Sequence, residues 1–312
     1  MPDVILNLLP VREEEKAAFE AAAPDAVHLY AGRRTATPEQ FAQANIVMGW
    51  PREDMLAQAP RLRWFHCMWA GTDKYAGVLP PSVLLTSSAG INSQSVAEHM
   101  LAALLSLYRK LPQSRDHQRE RAWVDVGNLK SLDGAVVLVA GAGHVGSAFA
   151  KLCQALGAGC TIGLKRTVGG PVPGFDQVFP MERTDELLPQ ADVVALVLPH
   201  APETVRFMDR KRLALLKDDA VLLSAGRGSA LDQEALTEAM QAGRLWGAAL
   251  DVTEPEPLPA DSPLWDIPNL LITPHMAGGM RLESTRRNCI QLALENLRRY
   301  YAGEPLENLV SR

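Results

Sequence analysis

The chain has 312 residues, 47% hydrophobic and 21% charged. That is more than a single hydrophobic core usually serves, and the balance is that of a globular enzyme of two domains. A net charge of −5 at pH 7 argues against nucleic acid or an anionic membrane as the main partner, while a local arginine can still hold a small anion.

Cys67, Cys153, Cys160 and Cys289 lack the spacing of a metal site. They read as small apolar residues in a reducing compartment, and no metal is expected. No basic segment followed by a signal-length apolar run opens the chain, and no apolar run reaches membrane-spanning length. The expectation is a cytoplasmic protein.

Short apolar runs alternate with helix-length amphipathic segments throughout, the pattern of α/β architecture. Strands are predicted at Val4–Leu9, Ala26–Leu29, Ile46–Gly49, Leu62–Cys67 and Val83–Thr86, with a helix over Glu13–Ala22. Ser93–Leu111 reads as one long helix, capped by Ser93 and stopped by Pro112. It is apolar over most of its surface, which places it between domains or subunits. A polar stretch follows from Gln113 to Asp133.

A second series then begins. Val136–Val139 is a strand, Val145–Leu156 a helix and Cys160–Leu164 the next strand. Further strands are predicted at Asp192–Leu198, Ala220–Ser224, Gly247–Leu250 and Leu270–Thr273, and a last helix over Glu283–Tyr301. Near-continuous Val/Ile/Leu runs fit parallel strands covered on both faces. Gly169–Gly174 is a local turn-rich loop.

Between the strand at Val136 and the helix that follows lies Gly141-Ala142-Gly143-His144-Val145-Gly146. A GxGxxG match alone is weak, but a strand before it and a helix after it are the context that dinucleotide binding requires. Gly141 permits the tight turn, Gly143 lets the backbone approach a pyrophosphate, and Gly146 lets helix pack on strand. The anion would lie at the helix N-terminus. The next strand ends in Leu164-Lys165-Arg166-Thr167, without the acid that usually binds the ribose 2′-hydroxyl of NAD. Lys165 and Arg166 suit a 2′-phosphate, and Thr167 can donate to it. NADP(H) is therefore favoured over NAD(H).

Ligands of open α/β sheets bind beyond the carboxyl ends of the strands. Three further loops there carry polar residues: Ser224-Ala225-Gly226-Arg227-Gly228, Asp251 through Pro257, and Pro274-His275-Met276-Ala277-Gly278-Gly279. Arg227 can grip a carboxylate with two parallel N–H bonds. A glutamate on the second ring nitrogen of His275 would fix its tautomer and favour imidazolium as an acid.

Taken together, these pieces resemble the D-isomer-specific 2-hydroxyacid dehydrogenases. The resemblance rests on the glycine turn, on Leu198-Pro199-His200-Ala201-Pro202-Glu203-Thr204, on Ala225–Gly228, on Asp251–Pro257 and on Thr273-Pro274-His275. It extends to Ala70-Gly71-Thr72-Asp73 and to Asn92–His99. The separations 256 − 227 = 29 and 275 − 256 = 19 agree as well.

The resemblance implies His275 as acid/base, Glu256 as its partner in preference to Glu254, and Arg227 as anchor of the carboxylate and the C2 oxygen. It implies substrate contacts at Ala70, Gly71 and Thr72. For the dinucleotide it implies Gly141, Gly143, His144, Val145, Gly146, Lys165, Arg166, Thr167, Leu198, Pro199, Thr204, Ala225, Gly226, Arg227, Asp251, His275, Ala277 and Gly278.

The implied fold is two Rossmann-like doubly wound parallel-sheet domains. Residues 1–99 and 280–312 would form the substrate domain and 100–279 the inserted dinucleotide domain, with a homodimer through the latter and domain closure over the substrate. The basic strand end is similar to the glyoxylate/hydroxypyruvate reductase branch, so a small anionic 2-oxoacid is the expected substrate. Two alternatives stay open: an NAD(H)-dependent dehydrogenase of another 2-oxoacid, and a corepressor-like dinucleotide sensor. A phosphorylated acid would need two or three further cations in the substrate domain, which the sequence alone does not place. Trp50, Trp69 and Tyr75 suit either a modestly apolar substrate side chain or plain packing.

Overall fold

The computed structural model of the protein describes residues 2–311. The chain forms two compact units, residues 1–91 with 280–312, and residues 92–279.

The first unit is built on five parallel strands, β1 (Val4–Asn7), β2 (Val27–Tyr30), β3 (Ile46–Gly49), β4 (Trp64–Cys67) and β5 (Leu84–Thr86), in the order β2-β1-β3-β4-β5. β3 and β4 are buried along their whole length, which is why neither alternates apolar with exposed polar residues, although β4 carries one buried polar side chain, His66. The chain returns as the helix Glu283–Ala302. That helix lays Cys289, Ile290, Ala293 and Leu297 with Phe19 against Ile5, Ile46, Met48 and Trp64 on one face of the sheet. Tyr300 stacks on Trp64 at 5.1 Å between centroids. Phe41, Leu56, Phe65 and Tyr75 fill the other face.

The second unit has seven parallel strands: β6 (Val136–Ala140), β7 (Cys160–Lys165), β8 (Gln177–Pro180), β9 (Val193–Leu196), β10 (Val221–Ser224), β11 (Gly247–Leu250) and β12 (Leu270–Ile272). Their order is β12-β11-β10-β9-β6-β7-β8, so the winding reverses between β6 and β9. Alternate residues point to opposite faces of a strand. Val137 and Val139 meet Met100, Leu104 and Phe149, from the helices Ser93–Tyr108 and His144–Ala155. Leu138 and Ala140 meet Leu213, Leu236 and Met240 on the opposite side.

Four local outcomes differ from the sequence pattern. The first long helix ends at Tyr108, because Lys110 is left-handed (φ 50°) and a second helix, Leu111–Arg119, starts after it. Pro112 lies in the first turn of that second helix, where a missing N–H breaks no hydrogen bond. Asn92, not Ser93, occupies the N-cap position, without a side-chain cap. The edge strand β8 has no strongly apolar run; it is defined by its backbone pairing to β7. The first unit ends at Ile91, upstream of residue 99, since the helix Ser93–Tyr108 goes as a whole with the second sheet.

No helix among the described residues is long and apolar enough to cross a membrane. The four cysteines are unpaired. No group of three or more His, Cys, Asp or Glu among the described residues could hold a metal.

Candidate active site

Parallel strands deliver all their carboxyl ends to one edge, and the topological switch opens a crevice there. In the second unit the glycine turn follows β6 at this switch. Gly141 has φ +109°, and a Cβ on it would meet the Val197 carbonyl oxygen at 2.7 Å. The backbone there is therefore closed to any residue with a side chain. A Cβ on Gly146 would lie 2.3 Å from the Gly141 oxygen, so the helix His144–Ala155 packs hard onto the turn. Gly143 is the opposite case: a Cβ there would meet nothing within 4 Å. It caps the helix with no side-chain hydrogen bond, leaving the first-turn N–H groups of His144, Val145 and Gly146 to an outside acceptor. Crowding behind the turn and open space before it are what a pyrophosphate requires, so these residues fit a dinucleotide.

Lys165 closes β7, and Lys165, Arg166 and Thr167 are exposed. Arg166 Nη1 lies 3.3 Å from Glu203 Oε1, with the two side chains 84% and 56% exposed. An ion pair so open to water holds its partners weakly. Leu198 is buried after β9. The Thr204 hydroxyl donates to the Pro199 carbonyl at 2.7 Å and accepts from the Ala201 amide, so it closes its own loop.

On the loops after β10, β11 and β12 the remaining polar residues form one connected group. Arg227 is half-buried and donates from Nη1 to the Gly226 carbonyl at 2.9 Å. A Cβ on Gly228 would stand 2.1 Å from the Thr253 carbonyl oxygen, so the Arg227 loop lies directly against the Glu256 loop. The Thr253 amide donates to Glu256 Oε1 at 3.2 Å. Glu256 Oε2 lies 2.9 Å from His275 Nδ1. A carboxylate can only accept there, so Nδ1 carries the proton and Nε2 is the nitrogen turned to other partners.

His275 itself is held left-handed, with φ 48°, an uncommon backbone for a residue other than glycine. Its amide donates to the Asp251 carbonyl at 2.8 Å. The buried Asp251 carboxylate accepts from the Thr273 hydroxyl at 2.6 Å and from the amides of Met276 and Ala277. Thr273 also meets His99 Nε2 at 3.0 Å, and Ser95 donates to the Ala277 carbonyl. Asp251 thus shapes the turn that presents His275. A Cβ on Gly278 would collide with Asn92 Nδ2 at 2.2 Å, which fixes the far end of the turn.

The sequence points to Arg227, Glu256 and His275 as neighbours; Thr253, Thr273, His99 and Ser95 lie in the same motifs, but the hydrogen bonds by which they support the site exist only through neighbours in space, so no local signal foretells them.

In the first unit, the loop Ala70-Gly71-Thr72 follows β4 at the carboxyl edge of its own sheet. Beneath it lies a wholly buried polar cluster. Trp64 Nε1 donates to Thr86 Oγ1 at 2.9 Å, and His66 Nδ1 meets the same oxygen at 2.9 Å. His66 Nε2 lies 3.2 Å from Ser88 Oγ, which donates to the Cys67 carbonyl. Burial pushes the His66 imidazole down to about 4. Cys67 Sγ reaches the Gly71 carbonyl at 3.8 Å, tying the cluster to the loop.

A doubly wound parallel sheet with an open glycine turn, and a His–Glu pair beside an arginine on the same edge, define a nicotinamide-dependent oxidoreductase. Residues 101–277 match the model of the D-isomer specific 2-hydroxyacid dehydrogenase, NAD binding domain. The chain is 30% identical over 269 residues to glyoxylate/hydroxypyruvate reductase B of Pectobacterium carotovorum subsp. carotovorum (strain PC1), covering 83% of this chain and 82% of that one.

Among solved structures, a D-isomer specific 2-hydroxyacid dehydrogenase family protein from Aeromonas salmonicida superposes with a TM-score of 0.87 at 32% identity, over 100% of this chain and 99% of that one. A D-isomer specific 2-hydroxyacid dehydrogenase from Xanthobacter autotrophicus Py2, solved with NADPH and MES, gives 0.82 at 30% identity, over 100% and 98%. The chain belongs to the D-isomer-specific 2-hydroxyacid dehydrogenase family.

Proposed function

We propose that the protein reduces a small 2-oxoacid of the glyoxylate or hydroxypyruvate type to the D-2-hydroxyacid, with NADPH preferred to NADH. The observation that carries this reading is the 2.9 Å His275–Glu256 contact packed beside the Arg227 loop.

The turn Gly141–Gly146, the loops at Leu198–Pro199 and Ala225–Gly226, and residues Ala277 and Gly278 would hold the dinucleotide. When bound, the reduced nicotinamide supplies the hydride that C2 of the substrate accepts. His275 Nε2 delivers the proton to the C2 oxygen, while Glu256 on Nδ1 keeps the ring oriented and offsets its positive charge. The Arg227 guanidinium stabilises negative charge on the same oxygen and pairs with the substrate carboxylate. The backbone amides of Ala70, Gly71 and Thr72 are assigned to that carboxylate too. Lys165, Arg166 and Thr167 are assigned to a 2′-phosphate. Their exposure, and the weakness of the Arg166–Glu203 pair, support that assignment.

The relative named glyoxylate/hydroxypyruvate reductase B supports the substrate class, and the Xanthobacter protein in complex with NADPH supports the cofactor. The exposed apolar residues Leu111, Trp123, Val124 and Leu129 of the second unit support a homodimer through that unit, and the unpaired cysteines fit a reducing compartment.

The test is oxidation of NADPH and NADH with glyoxylate, hydroxypyruvate and pyruvate, repeated with His275→Ala. The variant should bind the dinucleotide normally and lose roughly 10²–10⁴ in kcat. Wild-type turnover in His275→Ala would refute the acid, and equal or better efficiency with NADH would refute the cofactor preference. Tight dinucleotide binding without turnover of any 2-oxoacid would point to a sensor instead.

A further inference from the structure

The reaction as described uses the loop Ala70-Gly71-Thr72 but not the buried groups that hold it. Along the approach to that loop and through it, the backbone carbonyls are answered from within the first unit. Ser88 takes two of them: its Oγ donates to the Cys67 carbonyl at 2.9 Å, and its amide donates to the Trp69 carbonyl at 3.1 Å. Cys289 Sγ reaches the Met68 carbonyl, and Cys67 Sγ the Gly71 carbonyl, each at 3.8 Å. The amides of Ala70, Gly71 and Thr72, by contrast, donate to no acceptor among the described residues. Successive N–H groups left open in this way are what an anion requires.

The Ser88 hydroxyl has one proton and two candidate acceptors, the Cys67 carbonyl and His66 Nε2. The choice is made at the other end of a hydrogen-bonded chain. The Trp64 indole can only donate, so Thr86 Oγ1 accepts from it at 2.9 Å and gives its own proton to His66 Nδ1 at 2.9 Å. The neutral ring then carries its proton on Nε2 and offers it to Ser88 Oγ at 3.2 Å. Ser88 is left with its proton for the Cys67 carbonyl. Trp64, His66, Thr86 and Ser88 are all fully buried, so each bond is felt by the next at low dielectric. Burial also pushes the His66 imidazole down to about 4, which keeps it neutral.

We propose that Ser88, oriented by His66, is the positioning residue of the substrate loop. It fixes which way the peptides before Ala70 face, and through them the amides that receive the substrate carboxylate. Its effect falls on affinity for the 2-oxoacid, since the hydride and the proton come from the nicotinamide and His275. The inference rests on the reading of residues 70–72 as the site of that carboxylate.

Steady-state kinetics on the full chain test it, with glyoxylate and pyruvate as substrates. Oxamate, which carries the carboxylate but is not reduced, serves as a binding probe in the presence of NADPH. Ser88→Ala should raise KM for both acids, and the Kd of oxamate, by roughly two- to tenfold, the reach of one hydrogen bond. The kcat and the Kd of NADPH should not change. His66→Phe keeps the bulk of the ring but gives Ser88 no proton, and should raise KM in the same direction. His66→Gln, whose amide nitrogen can still donate to Ser88, should stay near the wild type. The two His66 variants carry the test should Ser88→Ala not fold. Asn296→Ala is the control for mere loosening of the unit. Asn296 is buried and ties the helix Glu283–Ala302 to Glu307, so its loss should lower the melting temperature and leave KM alone.

Unchanged KM and oxamate affinity in Ser88→Ala would overturn the role of Ser88 and leave the reductase reading intact. So would a loss confined to kcat, an equal rise of KM in Asn296→Ala, or the same KM in both His66 variants. Wild-type protein that reduces no 2-oxoacid would remove both readings.

Discussion

Acid should destabilise the first unit through His66, and the size of the effect follows from its surroundings. The ring is wholly buried. Ser88 Oγ donates to the Cys67 carbonyl, so it accepts from His66 Nε2–H; Thr86 Oγ1 accepts from Trp64 and donates its single proton to His66 Nδ1. Every hydrogen bond suits the neutral imidazole, and protonation at Nδ1 would force two donors together. Burial accordingly lowers its pKa from 6.5 to about 4.

Between those values the unfolded chain binds a proton that the folded one refuses, so stability rises with pH in that window. The contribution is intact above about pH 7 and is lost as pH falls through 6.5 toward 4. At about pH 5 the loss is about 2 kcal/mol, and its limit at lower pH is about 3 kcal/mol. Urea denaturation followed by tryptophan fluorescence at a series of pH values, for the wild type and His66→Gln, isolates this group, because the other titrations are common to both. The wild-type curve should be steeper below pH 6.5 by the stated amount. Parallel curves down to pH 5 would show that His66 is not held neutral by this cluster.

Two further outcomes follow from the second unit. Gly228→Ala places a methyl 2.1 Å from the Thr253 carbonyl; the backbone that holds Glu256 must shift, at a cost of about 1–3 kcal/mol. A lowered melting temperature together with a lowered kcat/KM is expected, and a variant that melts like the wild type would contradict the packing described. Glu203→Gln removes the carboxylate facing Arg166, so the NADPH-to-NADH ratio of kcat/KM should rise a few-fold, in line with the ~0.2–1 kcal/mol of an exposed pair. An unchanged ratio would mean that Arg166 takes no part in choosing the cofactor.

The sequence by itself determined the architecture, and it put Arg227, Glu256 and His275 forward as the residues of one site. Buried parallel strands need continuous apolar runs, so β3, β9, β10 and β11 show in composition alone. The glycine turn shows because only glycine meets its backbone and packing demands. Arg227, Glu256 and His275 show because loops at strand ends are short and fix where such residues fall.

What local pattern could not carry is whatever depends on a partner distant in the chain. The edge strand β8 exists through its pairing with β7. The break at Lys110 turns a helix stop into a helix start. The carboxylate of Asp251 reads as a ligand contact, yet in the fold its oxygens hold the turn of residues 273–277. Ser88 looks like an ordinary loop serine until β4 and β5, neighbours in the sheet, bring it against the backbone that leads into residues 70–72. Strand order decides such neighbours, and strand order is set by the packing of the whole sheet rather than by any segment of it.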